Sequence, residues 1–553
     1  MFDTRLFGFL AIAFLSLLIY QAWITDYATP VAATVPETVV DYAEPALVDS
    51  GVDGPAVSSS ASPASVTNSQ RSEAVSETFV RVETDTYHAA ISTRGGALVQ
   101  LHLKQYPISV DQPDQPFVLL DQQADNFFVA QSSLRTQEGP APDRRAQFSA
   151  PAASYTLGSA QQLEVPLTWT SPDGVVVTKT YRFTRDHYAI EVETAIDNQS
   201  NQNWSFWQTR ELLSRAKESA AGLFATATYT GGVYYNPDDK YQKIDFDEMA
   251  DDPLNLQTDQ GWVAMIQHYF AAAWIPPAEQ QNKYYSGAEQ RSIGTVYRIG
   301  IASPLQTLAS GQRITLTDQF YGGPKIQERM EAVAPGLELT VDFGILTIIS
   351  QPLFSILEWI EDFIGNWGWA IIILTVLIKL AFMPLSASSY RSMAKMRKLQ
   401  PEMVAIRERY QGDRQKQGLA VMELYRKEKV NPIGGCLPVL IQMPVFFALY
   451  WVFLESVELR QAPWILWIED LSTRDPFFIL PLLMGVSMYF QQKLNPAPAD
   501  PMQAKVMSFL PWMFTLFLAF FPAGLVLYWT VNNLMTIAQQ GYIYRKLDTK
   551  PGR

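Results

Sequence analysis

The sequence predicts a polytopic α-helical membrane protein with six transmembrane helices, a large antiparallel β-sandwich outside the cytoplasm and a cytoplasmic helical hairpin. Long uncharged apolar runs occur near the N-terminus and throughout the last third of the 553 residues, and such runs indicate membrane spans. Residues 78–340 instead alternate apolar and polar side chains, which is typical of half-buried strands. Loops rich in Lys and Arg indicate which side faces the cytoplasm.

The first span is predicted at residues 1–27, where Arg5 precedes roughly 18 apolar residues and Trp23 follows them. A cleaved signal peptide would have a shorter apolar core ahead of a small-x-small site. We therefore expect an uncleaved anchor with its N-terminus in the cytoplasm. Residues 28–77 are rich in Ala, Pro, Ser, Val and Thr and are predicted to form a disordered tether.

Residues 78–340 are predicted to form the β-sandwich. The alternation is clearest in FVRVETDTYHAAIST and in GVVVTKTYRFTRDHYAIEVETAIDN, and clusters of Gly, Pro, Asn and Asp separate such stretches. Because the domain follows a span that starts in the cytoplasm, it is expected on the opposite side of the membrane. Residues 341–366 are then predicted to form an amphipathic helix on the outer membrane surface, interrupted by Pro352.

The last third contains five further apolar runs, which complete the six predicted spans. They are Trp367–Leu385, Ile433–Leu454, Phe477–Gln491, Val506–Phe521 and Leu525–Tyr542. They define a predicted five-helix core at residues 367–545, with a helical hairpin at 386–432 and a basic tail at 546–553. The hairpin holds eleven Lys and Arg against five Asp and Glu, and alternating the spans from a cytoplasmic N-terminus places these basic segments in the cytoplasm.

Lys379 stands among apolar residues of the second predicted span, where a lysine costs roughly 2.5–3.5 kcal/mol on insertion scales. Three interpretations are open: the side chain snorkels to the inner surface, relays protons or ions, or lines a polar recess that attracts acidic polypeptide segments. Thr375 lies one turn earlier on the same face, while Gln442 and Asn532 are polar residues of other spans. We favour the recess, lined by these side chains.

Neither catalytic nor metal-binding patterns are recognisable. The G-x-S-x-G, H-E-x-x-H, Walker A and G-x-G-x-x-G motifs are absent, all four histidines precede residue 270, and Cys436 is the single cysteine. We therefore predict no catalytic residue, no cofactor and no metal, and the net charge of −13 argues against nucleic acid. Glu455 and Glu458, at the end of the third span, are expected at the membrane interface. A small-solute transporter or channel, and a carbohydrate-binding module on a membrane anchor, are the competing classes.

Several stretches resemble the YidC family of membrane protein insertases. They are MAKMRKLQPEM, YRKEKVNPIGGCLPVLIQMPVFFALYW, SVELRQAPWILWIEDLSTRDPFFILPLLMGVSMYFQQKL, DPMQAKVMSFLPWMFTLF and FPAGLVLYWTVNNLMTIAQQ. Specific sequence motifs match over residues 358–547. Over the first span, the tether and the β-rich domain, only the order of the segments resembles the family. The resemblance implies a periplasmic β-supersandwich and a hydrophilic groove, open to the cytoplasm and lipid, through which new inner-membrane proteins enter and fold without nucleotide hydrolysis.

By position, the resemblance implies that Lys379 occupies the place where the family usually has arginine. Thr375 is the matching polar residue one turn before it, and Gln442 lies in the matching IQMP stretch. Tyr528 and Trp529 match aromatic residues that face inserting clients. Because lysine lacks the planar fork of arginine, the resemblance implies a positive groove without bidentate recognition of carboxylates.

The resemblance also implies partners and a location. Nascent membrane proteins are the clients, with Sec translocon components, the ribosome and membrane lipids as further partners and no specific nucleic acid. The protein is expected in the bacterial inner membrane with both termini in the cytoplasm. The hairpin is needed for insertion in the family, and its basic residues here include Arg391, Lys395, Arg397 and Lys398.

Overall fold

The computed structural model describes residues 78–216, 228–278, 280–428, 430, 437–495 and 501–548. The predicted first span at 1–27 and the tether at 28–77 lie outside the described residues. The same is true of Cys436 and of the last five residues of the predicted tail.

Nineteen strands are found within the described residues. They are β1 (Phe79–Glu83), β2 (Tyr87–Ser92), β3 (Leu98–Pro107), β4 (Pro116–Leu120), β5 (Phe128–Thr136), β6 (Ser154–Thr156), β7 (Gln162–Thr170), β8 (Val175–Thr184), β9 (Ala189–Asn198), β10 (Trp204–Ser214), β11 (Thr230–Asn236), β12 (Lys240–Ile244), β13 (Asn255–Thr258), β14 (Trp262–Gln267), β15 (Phe270–Ile275), β16 (Asn282–Arg291), β17 (Gly294–Ala302), β18 (Gln306–Leu308) and β19 (Arg313–Pro324).

The strands form two sheets. One has eleven strands in the order β13-β16-β17-β10-β5-β3-β2-β1-β6, with β18 paired to β10 and β4 paired to β3. The other has eight strands in the order β12-β11-β14-β15-β19-β9-β8-β7. Neighbouring strands run antiparallel except for the parallel pair β1 and β6. The predicted antiparallel β-sandwich is therefore confirmed, with one parallel pair at its edge.

The alternation in the sequence corresponds to the two faces of the strands. In β8 every second residue from Val175 to Phe183 is buried, and the residues between them are half-buried. The buried side chains of both sheets meet in one large apolar core that includes Leu101, Tyr181 and Trp274. Burial of such side chains stabilises the sandwich by roughly 1.5–3 kcal/mol each relative to exposure.

Eleven α-helices occur among the described residues. They are α1 (Phe246–Asp251), α2 (Gln327–Val333), α3 (Thr347–Ile364), α4 (Trp367–Ala381), α5 (Met383–Lys398), α6 (Gln400–Arg409), α7 (Arg414–Lys427), α8 (Leu437–Glu455), α9 (Ile479–Leu494), α10 (Pro501–Leu518) and α11 (Ala523–Asp548). The C-terminal third is thus helical, and α3, α4, α8, α9 and α11 share a second apolar core.

The expected interruption at Pro352 is wrong, because α3 continues through this residue. Pro352 lies in the second turn, so only one backbone hydrogen bond near the helix start is lost. The helix buries Phe354 and Leu357 and leaves Ile348 and Phe363 on its exposed face. This division of apolar side chains between two environments is compatible with the predicted interfacial helix.

The predicted span Trp367–Leu385 is not one continuous helix, because the helix breaks at Phe382. The axis of the chain bends by 66° between α4 and α5. Pro384 occupies the first turn of α5, where a missing backbone N–H is tolerated and where the proline ring prevents continuation of the preceding helix. The apolar pattern runs across this break, which is why periodicity alone did not detect it.

Within the described ranges, no single helix is by itself long and apolar enough to cross a bilayer, whereas the bent pair of α4 and α5 passes the same test when taken together. Shorter apolar helices occur at Ile441–Glu455 and Lys505–Leu518. The count of six spans therefore stays a prediction.

The hairpin segment contains three helices rather than two. The expected break at Gly412 is present, with φ at +92°, and a further break at Leu399 separates α5 from α6, which has a proline in its first turn. A small apolar cluster joins Met396 and Met403 to Leu424 across the hairpin. The predicted basic residues are all exposed: Arg391, Lys395, Arg397 and Lys398.

Candidate functional site

Buried polar side chains collect where α4, α5 and α9 pack against α11. We call this set the polar seam. On α11 its members are spaced three or four residues apart, and this spacing places them on one side of the helix. The members are Thr375, Lys379, Ser386, Ser389, Tyr390, Ser487, Thr530, Asn533, Thr536, Gln539 and Gln540.

Lys379 lies at the centre of the polar seam, and only 1% of the residue is exposed. Its Nζ donates a hydrogen bond to Thr536 Oγ1 on α11 at 2.7 Å. Thr536 Oγ1 in turn donates to the carbonyl oxygen of Asn532 at 2.7 Å, and Gln539 Nε2 donates to the carbonyl oxygen of Lys379 at 3.2 Å. The amino group is therefore directed at a neighbouring helix.

No carboxylate forms an ion pair with Lys379 among the residues that the structure describes. A hydroxyl partner satisfies one of the three ammonium donors but supplies no negative charge. The positive charge is thus uncompensated within the described part of the chain.

The other predicted lining residues have different surroundings. Thr375 is buried, and its Oγ1 donates to the carbonyl oxygen of Ile371 at 2.7 Å, so its hydroxyl proton is already used within α4. Asn532 is half-buried beside Thr536. Gln442 is half-buried on α8, and no hydrogen bond joins it to the polar seam among the described residues. Thr375 therefore lies one turn before Lys379 on α4, and Asn532 lies one turn before Thr536, the hydrogen-bond partner of Lys379.

The two predicted client-contacting aromatics pack against α8. Tyr528 is 4% exposed, and its ring centroid lies 6.5 Å from that of Phe446 and 6.4 Å from that of Phe453. Trp529 is partly exposed, and its ring meets Phe446 edge-on at 4.6 Å. Trp529 is therefore partly accessible, whereas Tyr528 is buried.

Ser487, Gln540 and Tyr390 are members of the polar seam that sequence reasoning missed. Asn533 Nδ2 donates to Ser487 Oγ on α9 at 3.1 Å, and Gln540 Nε2 donates to the hydroxyl of Tyr544 at 2.8 Å. Tyr390 of α5 shares a side-chain hydrogen bond with Thr536. Ser487 and Gln540 could have been found as polar residues inside otherwise apolar runs, but Tyr390 gave no such signal because it lies in a polar stretch.

The side-chain oxygens Oε1 of Gln539 and Gln540 are buried and accept no hydrogen bond from the described residues. Buried polar atoms in native proteins are nearly always paired, with protein groups or with water. The polar seam therefore has two unused hydrogen-bond acceptors with respect to the described residues. Within the described ranges, no group of three His, Cys, Asp or Glu residues is placed to hold a metal ion.

Comparison with known proteins finds a matching family for each of the two parts of the chain. Residues 79–356 match the family described as "YidC periplasmic domain", and residues 359–550 match the family described as "60Kd inner membrane protein". A solved structure of an active YidC insertase with its first transmembrane domain resolved covers 84% of this chain and 93% of its own, at 18% identity and a TM-score of 0.39.

Relatives named "Membrane protein insertase YidC" match nearly the whole chain. The protein from Thioalkalivibrio sulfidiphilus is 49% identical over 555 residues, which are 98% of each chain. The protein from Methylococcus capsulatus is 52% identical over 86% of this chain and 87% of its own, and that from Nitrosococcus oceani is 46% identical over 99% of each. At this identity and coverage, the chain belongs to the YidC family of membrane protein insertases.

Proposed function

We propose that the protein inserts newly made membrane proteins into the bacterial inner membrane by way of the polar seam. Membership of the insertase family supports the activity and the location. The observation that carries the proposed site is Lys379, a buried ammonium group with a hydroxyl partner but no carboxylate partner among the described residues.

The proposed topology has six spans, with both termini and the basic hairpin in the cytoplasm and the β-sandwich in the periplasm. The exposed basic residues of the hairpin support this orientation, because Lys and Arg concentrate on the cytoplasmic side. The same residues give the hairpin a positive surface suited to the ribosome, while the Sec translocon and membrane lipids are the further proposed partners. No specific nucleic acid is part of the proposal.

The proposed mechanism is physical. A polar recess partway through the bilayer shortens the hydrocarbon path that a polar segment must cross, and a positive charge in the recess lowers the energy of acidic residues there. The client's apolar segment then moves past Trp529 and α8 into lipid, driven by burial at about 25 cal/mol per Å². This sequence of events needs neither a catalytic residue nor nucleotide hydrolysis.

The test uses the full-length protein in proteoliposomes with two versions of one client, whose translocated tail is either acidic or neutral. We expect Lys379→Met to slow insertion of the acidic-tailed client about tenfold, which corresponds to about 1.4 kcal/mol and lies within the range for one charge pair in a partly polar site. Lys379→Arg keeps the charge and should keep insertion near the wild-type rate.

Thr536→Val is the matched control, because it removes the hydrogen-bond partner of Lys379 and leaves the charge in place. We expect it to affect the two clients equally. Equal insertion of the acidic and neutral clients by Lys379→Met would show that the charge does not act on the client, and the proposed role of Lys379 would be rejected.

A further inference from the structure

A pocket opens where the eight-stranded sheet meets the C-terminal end of α8. Strands β12 and β14, the segment between α2 and α3, and the last two turns of α8 line it. Its open volume is about 480 Å³, which lies within the range of roughly 300–1,000 Å³ that is usual for small-molecule sites. We call it the junction pocket.

Four charged side chains line the junction pocket, two of them positive and two negative. Lys325 Nζ donates to Glu455 Oε2 at 3.2 Å, and these side chains are 2% and 9% exposed. Lys243 Nζ lies 2.6 Å from Asp342 Oδ2, and this pair is 36% and 34% exposed. Burial lowers the pKa of Lys325 most, and the charges of Glu455, Asp342 and Lys243 also act on it. The four groups therefore share one electrostatic environment, whose formal charges sum to zero.

Three polar groups of the junction pocket have no hydrogen-bond partner among the described residues. Lys325 uses two of its three ammonium protons, one on Glu455 and one on the carbonyl oxygen of Thr340 at 3.1 Å. Glu455 accepts on Oε2 alone, which leaves its Oε1. The indole N–H of Trp451 also makes no hydrogen bond within the described ranges. The pocket thus offers two donors and one acceptor to a ligand.

Apolar side chains are exposed directly beside the junction pocket. Gly344 lines the pocket next to Trp451, and Ile345, which follows it, is 95% exposed. Ile348, in the first turn of α3, is 88% exposed. Apolar faces of this kind are typical of helices that lie at a membrane surface, where tryptophan is also enriched. With α3 on the outer membrane surface, as predicted, a lipid can place its headgroup in the pocket and its acyl chains along the two isoleucines.

The pattern of charges distinguishes between classes of headgroup. A phosphate group can accept hydrogen bonds from Lys243, Lys325 and Trp451. A primary ammonium group can donate to Glu455 and Asp342, whereas a headgroup with only a negative charge would meet two carboxylates that repel it. Water reaches the pair of Lys243 and Asp342, and such pairs contribute little to stability, so they can exchange partners at small cost. A headgroup with both a phosphate and a primary amine therefore fits the pocket.

We propose that the junction pocket binds a phospholipid of the outer leaflet whose headgroup is phosphoethanolamine. Lys243, Lys325 and Trp451 hold its phosphate, while Asp342 and Glu455 hold its ammonium group. The inference rests on the proposed function in one respect, namely the orientation that places α3 at the outer membrane surface. The lipid site shares no residue with the polar seam.

Lipid binding to the full-length protein in detergent, measured by native mass spectrometry during lipid titration, tests the proposal. We expect phosphatidylethanolamine to bind at least tenfold more tightly than phosphatidylcholine, whose ammonium group cannot donate a hydrogen bond, and than phosphatidylglycerol, which has no ammonium group. Soluble glycerophosphoethanolamine should bind at least tenfold more weakly than the lipid, because it has no acyl chains. Equal binding of the three lipids, or equal binding of the soluble headgroup, would overturn the proposal.

Variants locate the bound lipid. Lys243→Met and Asp342→Asn alter a pair that contributes little to stability, so both proteins should fold, and each should weaken phosphatidylethanolamine binding at least fivefold. Trp451→Phe should weaken it at least threefold. The matched control is Lys104→Met, which removes a lysine paired with a glutamate on the sandwich, the two side chains being 28% and 52% exposed. It should stay within twofold of the wild type. An equal effect of Lys104→Met, or unchanged binding in both Lys243→Met and Asp342→Asn, would reject the pocket as the lipid site.

Insertion of a model client by the same wild-type preparation separates this inference from the proposed function. Lipid discrimination by a protein that inserts no client would reject the proposed function and leave the lipid site in place. Insertion by a protein that does not discriminate between the lipids would reject the lipid site alone.

Discussion

The buried ammonium group of Lys379 donates a hydrogen bond to the hydroxyl of Thr536, on a helix that is distant in sequence. No carboxylate among the described residues lies within ion-pair distance of it. Glu455 shows the opposite arrangement. Its side chain is buried and paired with Lys325. Glu455 thus has a countercharge from the protein itself, whereas Lys379 has none among the described residues.

His268 is expected to make the folding stability of the protein depend on pH. The pKa of His268 is lowered from 6.5 to about 4, mainly by burial. The positive charges of Lys325 and Arg460 also lower this pKa, whereas the hydrogen bond to the carbonyl oxygen of Leu454 raises it. Between these two pKa values the unfolded chain binds a proton that the folded chain does not, so stability falls as the pH drops from 6.5 to 4.

We expect His268→Gln to remove this contribution, because glutamine can donate to the same carbonyl oxygen but does not titrate. Thermal midpoints of both proteins, measured between pH 4 and 7.5, check the prediction. The wild type should lose more stability than the variant on acidification, and parallel pH profiles would contradict the assigned pKa.

Among the elements, the turns and breaks of the helical hairpin depend on single residues. Gly412 adopts φ +92° in the turn between α6 and α7, a region of backbone conformation that residues with a Cβ rarely adopt. Gly418, in contrast, lies within α7 at an ordinary helical φ with open space around it. The two glycines are six residues apart and should respond to the same substitution in opposite directions.

We expect Gly412→Ala to destabilise the hairpin by about 1–2 kcal/mol, the cost of a left-handed conformation for an L-residue. Gly418→Ala should stabilise it by about 1 kcal/mol, because alanine has the higher helix propensity. Local opening free energies of residues 400–427 from hydrogen exchange provide the measurement. Equal effects of the two substitutions would show that the turn is not limiting.

For the whole molecule, the two sheets are joined by a buried polar contact as well as by their apolar core. Arg210 of β10 donates from Nε to Asp318 of β19 at 2.6 Å, and the side chains are 1% and 0% exposed. Gln208 donates to the other carboxylate oxygen at 2.7 Å. Because β10 and β19 belong to different sheets, this contact fixes the two layers relative to each other.

We expect Asp318→Ala to destabilise the sandwich by about 3–5 kcal/mol, since it leaves the Arg210 charge buried without a countercharge. Arg313→Ala, which removes an ion pair whose arginine is 77% exposed, should leave the denaturation midpoint unchanged. Urea denaturation of the full chain in detergent distinguishes the two. A small effect of Asp318→Ala would mean that water reaches Arg210.

Much of the fold could be predicted because alternation and apolar runs are local properties. Strand β8 follows the period of two that its sequence shows, and the turn at Gly412 is where the sequence predicts it. The break at Phe382 was missed because Pro384 lies within an unbroken apolar run. A proline in a helix start and a proline in a helix interior have the same local sequence signal, and packing decides between them.

The candidate site was predictable only in part. Lys379 is conspicuous among apolar neighbours, and family resemblance added Tyr528 and Trp529. Their roles remain predictions. Ser487 and Tyr390 entered the polar seam only through the tertiary structure, because their partners lie on other helices.

The sequence by itself determined that a β-rich part precedes a helical part, where the basic segments lie, and that one lysine stands in an apolar run. Hydrophobic periodicity and charge encode these features over a few residues. The tertiary structure alone decided that Lys379 meets Thr536, 157 positions away, and that Lys325 meets Glu455 across 130 positions. Such pairs depend on how whole elements pack, and no local pattern in the chain specifies which distant side chains will be brought together.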